Sequence, residues 1–410
     1  MKKAYGIVAL LAALLLVSLI QNITIVSLGS GFNLKPYHIL ILLVALWSIG
    51  KGRIVFSVRL LPFWIAPILL VCVSLFDWVY FHMSLAGTFR AVIAFAGFLD
   101  AYFLSTLVLR AQGLMYRDIL QGMRITVTVY FFSVYIIVIT NAKTVIDFIK
   151  SPNGHPLIPT VVGGGVNIEA TWLALLSVMF IRTRYFLVFG LLSTVYSILT
   201  ASRAGIFAIL LVYATDMVVR LKRKNMPVAD VIGVLLIALY IVEPLLYSHF
   251  FKPSTTVSHH GGYTTQHVGY AAQRVADIGT DPGSTGRFRL WKWALESIKM
   301  SPITGFGIGD GIEVMRKLSN FGFSESNVHD FVLQFLVDTG IIGLATYIVW
   351  LVQIVRNKLP YEMFLAAAGY TALSLIQFEG YDVIFWLILG IGLAVSINCS
   401  NSKGQLREDA

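Results

Sequence analysis

Three short stretches put cationic or titratable side chains at helix starts, where the backbone itself helps to bind an anion. In TASRAG, residues 200–205, Arg203 falls in the first turn of an apolar segment and Ser202 is placed to cap it. Unpaired N–H groups and the positive end of the helix dipole disfavour a cation there unless an anion is bound. Together with the guanidinium they would cradle a phosphate or carboxylate. An arginine reaching lipid headgroups accounts for the same residue. The stretch 281–302 reads as an amphipathic helix on a membrane surface, capped by Ser284 or Thr285 and ended by Pro302. Phe288, Trp291, Leu295 and Ile298 form its apolar stripe, and Trp291 and Trp293 suit the interface. Arg287 and Arg289 then lie in its first turn and invite an anion, while a basic helix on anionic lipid explains Arg287, Lys292 and Lys299 equally well. In SNVHDFVLQFLVDTGIIGL, residues 326–344, His329 and Asp330 follow a cap at Ser326 or Asn327. A helix start favours the neutral imidazole, which can accept a proton. A histidine resting idly among headgroups is the competing reading, and the recurrence of such groups at three helix starts argues against it.

Other polar signals are weaker. GFGIGDG, residues 305–311, could let a backbone approach a ligand, but it lacks the strand-turn-helix context of a dinucleotide site and reads as a flexible turn. His259, His260 and His267 have no carboxylate or cysteine partners at ligand spacing, so no metal is expected. Asp100, Asp216, Glu243 and Asp338 lie in or at the ends of apolar segments, where they mark an ion pathway or simply reach water. Cys72 and Cys399 offer neither a disulfide framework nor a zinc spacing.

The elements that must position these residues are apolar. The chain has 410 residues, 57% hydrophobic and 13% charged, with mean hydropathy +0.78, which excludes an ordinary soluble domain. Segments long enough to enter a bilayer fall near 5–28, 37–50, 60–81, 88–109, 119–140, 168–182, 185–200, 204–219, 229–250, 328–354, 361–378 and 382–399. They predict an all-α, polytopic helical bundle of about twelve membrane helices. The first is read as an uncleaved span, because its apolar run continues without a small-residue cleavage site. Formal net charge is +10. When twelve spans alternate, most Lys and Arg fall on one side, which places both termini in the cytoplasm and makes a nucleic-acid partner unnecessary. The polar loop 251–327 then faces outward and contains short amphipathic helices.

The ordered set S-R-A-G opening a span, G-R-F-R-L-W in a long outer loop, G-F-G-I-G, and H-D-F-V-L-Q-F-L-V-D-T-G-I-I-G-L entering the next span resembles the O-antigen ligase and polysaccharide polymerase superfamily of bacterial membrane glycosyltransferases. The resemblance covers roughly residues 160–355. It suggests three regions: N-terminal helices at 1–160, a catalytic region at 161–360, and C-terminal helices with a short tail at 361–410. It implies a bacterial cytoplasmic (inner) membrane location and metal-free, cofactor-free, inverting transfer from a polyprenyl-diphosphate-linked glycan. Arg203 and Arg287 would contact the diphosphate, with Arg289 the alternative if the register slips by two, and His329 would assist attack by the acceptor hydroxyl. GGGVNIEATWLAL, residues 163–175, resembles an earlier segment of the family, where Asn167 or Glu169 would line the cavity. The family usually shows H-N where this chain has His329-Asp330, so Asp330 carries no inherited role.

The resulting expectation is a polymerase of capsule, exopolysaccharide or O-antigen repeat units on the outer face. The partners it implies are a glycan or lipid-linked acceptor, membrane lipid, a flippase and a chain-length regulator. A ligase moving finished glycan onto lipid A core is the near alternative. A transporter, or a non-catalytic export partner in which these residues are dispensable, comes from another class.

Overall fold

Long apolar stretches bounded by Gly, Pro and polar clusters dictate helices, and helices dominate. The structure, a computed structural model, describes residues 2–27, 33–50, 61–81, 86–111, 114–150, 156–222, 282–319, 328–375 and 382–408. Among them are fourteen α-helices. In chain order these begin with α1 (Lys2–Leu19), α2 (Pro36–Gly50), α3 (Leu61–Phe81), α4 (Ala86–Arg110), α5 (Tyr116–Thr140), α6 (Ala142–Lys150) and α7 (Val166–Ser177). The rest are α8 (Phe186–Leu199), α9 (Arg203–Lys222), α10 (Pro282–Met300), α11 (Gly311–Ser319), α12 (Phe331–Arg356), α13 (Tyr361–Ser374) and α14 (Val383–Glu408). The expected segment at 229–250 lies outside the described residues, as do His259, His260 and His267.

The first span is shorter than its apolar run suggests. α1 stops at Leu19, and Val26–Ser27 (β1) pairs antiparallel with Asn33–Leu34 (β2), matching Val26 to Leu34 and Ser27 to Asn33. Ile23, Thr24, Ile25 and Val26 are all β-branched, which favours extended backbone over another helical turn. Apart from this ladder the described architecture is all-α.

By length and composition, three described helices suffice to cross a membrane: Gly87–Arg110, Tyr116–Thr140 and Phe331–Ile354. Shorter apolar helical stretches among the described residues include Tyr5–Leu19, Pro36–Gly50, Val166–Phe180, Phe186–Leu199 and Val383–Asn398. Three helices, rather than the twelve expected, therefore meet the dimensions of a span among the described residues.

Packing divides the chain into two compact units, Met1–Met123 with Gly286–Ala410, and Arg124–Thr285. The first is organised around a break in α12. Gly340 has φ 61° and ψ −165°, a combination essentially confined to glycine. Along a straight helix Phe331 and Tyr347 would stand about 24 Å apart, yet their ring centroids are 4.9 Å apart, and those of Phe335 and Tyr347 are 4.7 Å apart. The helix therefore folds back on itself at Gly340. Its apparent length as a span is that of two arms, not of one rod.

Such a bend strips helical partners from backbone groups, which cannot be left bare in an apolar setting. The segment 302–307 supplies them. Phe306 N–H donates to the carbonyl of Val337 (3.0 Å) and Gly307 N–H to that of Asp338 (2.8 Å), while Ile341 N–H donates to the carbonyl of Pro302 (3.0 Å) and Ile342 N–H to that of Ile303 (3.3 Å). The glycines, expected from sequence to form a flexible turn, are what this close approach needs. Gly305 has φ 75°, and a Cβ there would overlap the backbone of Asp338 and Thr339. The first arm of α12 is buried in protein, whereas the second leaves Ile341, Ile348, Val349 and Val352 exposed along one face.

In the second unit, helices approach closely through small residues. A Cβ on Gly205 of α9 would overlap Ser197 of α8 and Ala170 of α7, and one on Gly190 would overlap the Tyr213 hydroxyl. Arg124 Nε donates to the Met179 carbonyl at 2.8 Å, and the Phe180 and Phe189 rings stack at 3.9 Å.

The break gives a direct test. Gly340→Ala combines a backbone conformation costing ~1–3 kcal/mol with a collision against the Ile303 carbonyl. Thermal unfolding of the detergent-purified variant should fall well below wild type. Gly6→Ala in α1, where an added Cβ meets nothing within 4 Å, should be neutral or stabilising by about 0.5–1 kcal/mol.

Candidate functional site

The candidate residues fall into two sets, one in each unit. In Arg124–Thr285, α8 ends and α9 begins within three residues. Ala201 adopts φ 49°; its N–H bonds the Ile198 carbonyl at 3.0 Å and Ser202 N–H bonds that of Ser197 at 2.8 Å. This is a Schellman closure with alanine where glycine is usual. The methyl group is buried against Phe148 of α6, which gives alanine a packing reason to be there. Ser202 then caps α9 as its type suggests, with Oγ accepting from Gly205 N–H at 3.2 Å and donating to Asn167 Oδ1 at 2.8 Å. Arg203 is the first residue of α9 and is half-buried. Asn167, Ser202 and Arg203 are thus gathered at one place.

Glu169 is adjacent in sequence but has another task. Three glycines, Gly163, Gly164 and Gly165, take φ of 80°, 74° and 94° to turn the chain into α7, and Gly165 is its N-cap. The Glu169 carboxylate reaches back to accept from Val161 N–H and from the Tyr130 hydroxyl. With 1% exposure, its oxygens hold the 158–165 turn against α5 and α7.

The other set belongs to Met1–Met123 with Gly286–Ala410. α10 begins at Pro282, a favoured first helical residue, so Arg287 and Arg289 lie in the second turn instead of the first. The dipole argument for them weakens accordingly. The buried face also differs from the expected stripe: Leu290, Ala294 and Ser297 are buried, while Phe288 and Leu295 are 52% and 51% exposed. On this register Arg287 is half-buried in line with Leu290 and Ala294, and Arg289 is exposed. Trp291, expected in an interfacial belt, instead packs beside a core that includes Leu290, Phe306, Met315, Val328 and Val337. Its Nε1 donates to the Val328 carbonyl at 3.2 Å.

That carbonyl directly precedes His329. Ser326 and Asn327 lie outside the described residues, and the cap of α12 is Asp330, whose Oδ1 accepts from Leu333 N–H at 2.8 Å. His329 therefore stands one residue before the cap, outside the helix, with φ 57°. Left-handed backbone is uncommon for a side chain of this size and recurs at functional sites. The turn is fixed from behind as well. Gln334 Oε1 accepts from Val328 N–H at 2.7 Å, Gln334 Nε2 donates to Asp338 Oδ2 at 2.9 Å, and Asp338 Oδ1 accepts from Gly311 N–H at 3.2 Å. Asp338, expected to mark an ion pathway or to reach water, instead holds the start of α11.

Gln334, Asp338 and the Trp291 donor escape a motif-based reading. The available signal was the polar Gln334-x-x-x-Asp338 spacing, one helical turn, inside an otherwise apolar run. What results is a half-buried guanidinium helix and an imidazole-bearing turn joined through one hydrogen bond, in a chain with membrane-length apolar helices.

These features define an integral membrane protein. A family model described as O-antigen ligase matches residues 171–348, so this region of the chain is similar to that family. The matched region contains Arg203, Arg287, Arg289, His329 and Asp330 and begins after Asn167 and Glu169. No curated protein matches the chain.

Asp330 gives the site a pH signature. Its helix and apolar span start at Phe331, so the carboxyl stands outside them; partial burial raises its pKa, opposed by the N–H groups of Leu333 and Val332. The folded protein then keeps the proton at pH values where the unfolded chain has lost it, so this group's contribution to stability declines as pH rises through that window, which opens near ~4. Asp330→Asn preserves an accepting oxygen for Leu333. Unfolding midpoints across an acidic pH series should be flatter for this variant than for wild type.

Proposed function

We propose that the protein transfers a glycan from a polyprenyl diphosphate to an acceptor hydroxyl at the outer face of the bacterial cytoplasmic membrane. The observation that carries this reading is the tie between the Arg287 helix and the His329 turn, within a region matched by the O-antigen ligase family. Members of that family are glycosyltransferase-like, and their substrates are lipid-linked glycans.

In the proposed reaction His329 takes the proton of the acceptor hydroxyl as its oxygen attacks the anomeric carbon. The bond from that carbon to the diphosphate breaks, and the configuration inverts in the single displacement. Charge builds on the departing diphosphate, where a cation lowers the barrier most. Arg287 fits that role better than Arg289, because it is half-buried on the face that also carries Trp291. Arg203 is assigned to the diphosphate on its own local ground: a guanidinium in the first turn of a capped helix.

Polymerisation of repeat units is the preferred version, and ligation of finished glycan to lipid A core or another acceptor is equally supported by the family match. A transporter also uses broken helices. Here the backbone groups at the Gly340 break are engaged by the 302–307 segment, which argues against their serving as an ion or solute site.

The test is reconstitution in proteoliposomes with a polyprenyl-diphosphate oligosaccharide. His329→Ala should lower the transfer rate by about 10²–10⁴-fold, and Arg287→Ala or Arg203→Ala by about 10²–10³-fold. A ladder of products marks a polymerase, and one transfer onto an added lipid acceptor marks a ligase. Full transfer by a folded His329→Ala protein removes the base assignment.

A further inference from the structure

We propose that Gln334 and Trp291 are positioning residues that hold the His329 imidazole in register with Arg287; this rests on the reading of His329 as the base. Val328 is fully buried, so water cannot stand in for either partner of its backbone. Its N–H requires an acceptor, which assigns Oε1 of Gln334 to it and leaves Nε2 as a donor. Asp338 accepts from that amide, and its second oxygen accepts from Gly311 N–H. Every link runs in one direction: Gly311 and Gln334 donate to Asp338, and Val328 donates to Gln334.

The opposite end of the same residue is held by α10. Trp291 Nε1 donates to the Val328 carbonyl, whose peptide plane is one of the two that set φ of His329. Trp291 is four residues after Arg287, one turn along the same helix. Rotation or withdrawal of α10 would therefore move the guanidinium and release the histidine turn together. A buried Gln and Asp one turn apart need no such partners to form a helix. A closed polar chain ending on the residue before a left-handed histidine is better explained by the placement of that imidazole.

The experiment uses full-length protein in the proteoliposome assay, with NMR of ¹⁵N-histidine-labelled protein in which the His329 signals are assigned from a His329→Gln sample. Gln334→Glu sets two acceptors against each other and breaks the link to Asp338. It should lower kcat by about 10²-fold, leave KM for the donor within about twofold, and shift the His329 signals. The double variant Gln334→Glu/Asp338→Asn reverses donor and acceptor at that link and should recover most of the rate and the original signals. Trp291→Phe keeps an aromatic ring in place of the indole and removes the donor, with an expected loss of about tenfold in kcat.

Unchanged kcat and His329 signals in folded Gln334→Glu overturn the proposal, and so does a folded double variant that recovers neither. If instead His329→Ala transfers normally while Gln334→Glu still shifts the His329 signals and the double variant restores them, the positional tie stands and the base assignment fails.

Discussion

A helix that folds back at Gly340 has to find partners for the backbone groups the fold releases, and much of the first unit follows from that requirement. In an apolar environment each unpaired N–H or C=O costs several kcal/mol. The 302–307 segment pairs four such groups, which demands that it lie flat against α12. Only glycine tolerates that approach at Gly305, and the same segment continues to Ile308, whose carbonyl leaves no room for a side chain at Gly87 of α4. One bend thereby sets α4, the glycine segment and the start of α11. It also confines Phe331–Thr339 to the protein interior, where Gln334 and Asp338 must satisfy each other and their neighbours.

The two candidate helix starts share a construction although they lie in different units. In each, a non-glycine residue with positive φ precedes a capping residue, which precedes the helix: Ala201-Ser202-Arg203 and His329-Asp330-Phe331. Their supports differ. At Ala201 the conformation closes the preceding helix and buries a methyl group on Phe148, so local packing is reason enough. At His329 the conformation instead sets the residue one position ahead of the Asp330 cap, outside the following helix.

The elements were largely legible in the sequence because long apolar runs leave little alternative to helix. Ser202 was legible too, since a serine before an apolar run has a specific capping chemistry. What stayed hidden was non-local. The end of α1 at Leu19 depends on a β-branched run that leads into the pairing of Val26–Ser27 with Asn33–Leu34. The exposed faces of Phe288 and Leu295 depend on which side of α10 meets the Phe306 core, and the most apolar stripe in the sequence is not the one that is buried. The bend at Gly340 reads in sequence as one glycine in a continuous span. Its meaning appears only when the glycines of 305–311 are seen to pack against it.

The left-handed turn at His329 can be weighed energetically. Such backbone costs an L-residue roughly 1–2 kcal/mol, and the Asp330 cap contributes about 1 kcal/mol in return. Capping alone leaves the two nearly level, so the conformation would be populated but not fixed. Val328 shifts the balance. Losing either of its buried hydrogen bonds would leave a group unpaired at a cost of about 1–3 kcal/mol, and Gln334 and Trp291 hold both. The turn is therefore enforced from Val328 inward, by the side chains of Gln334 and Trp291. A backbone fixed in that way gives the Cα–Cβ bond of His329 one direction, as the proposed base role requires, whereas a cap-only turn would let it sample several.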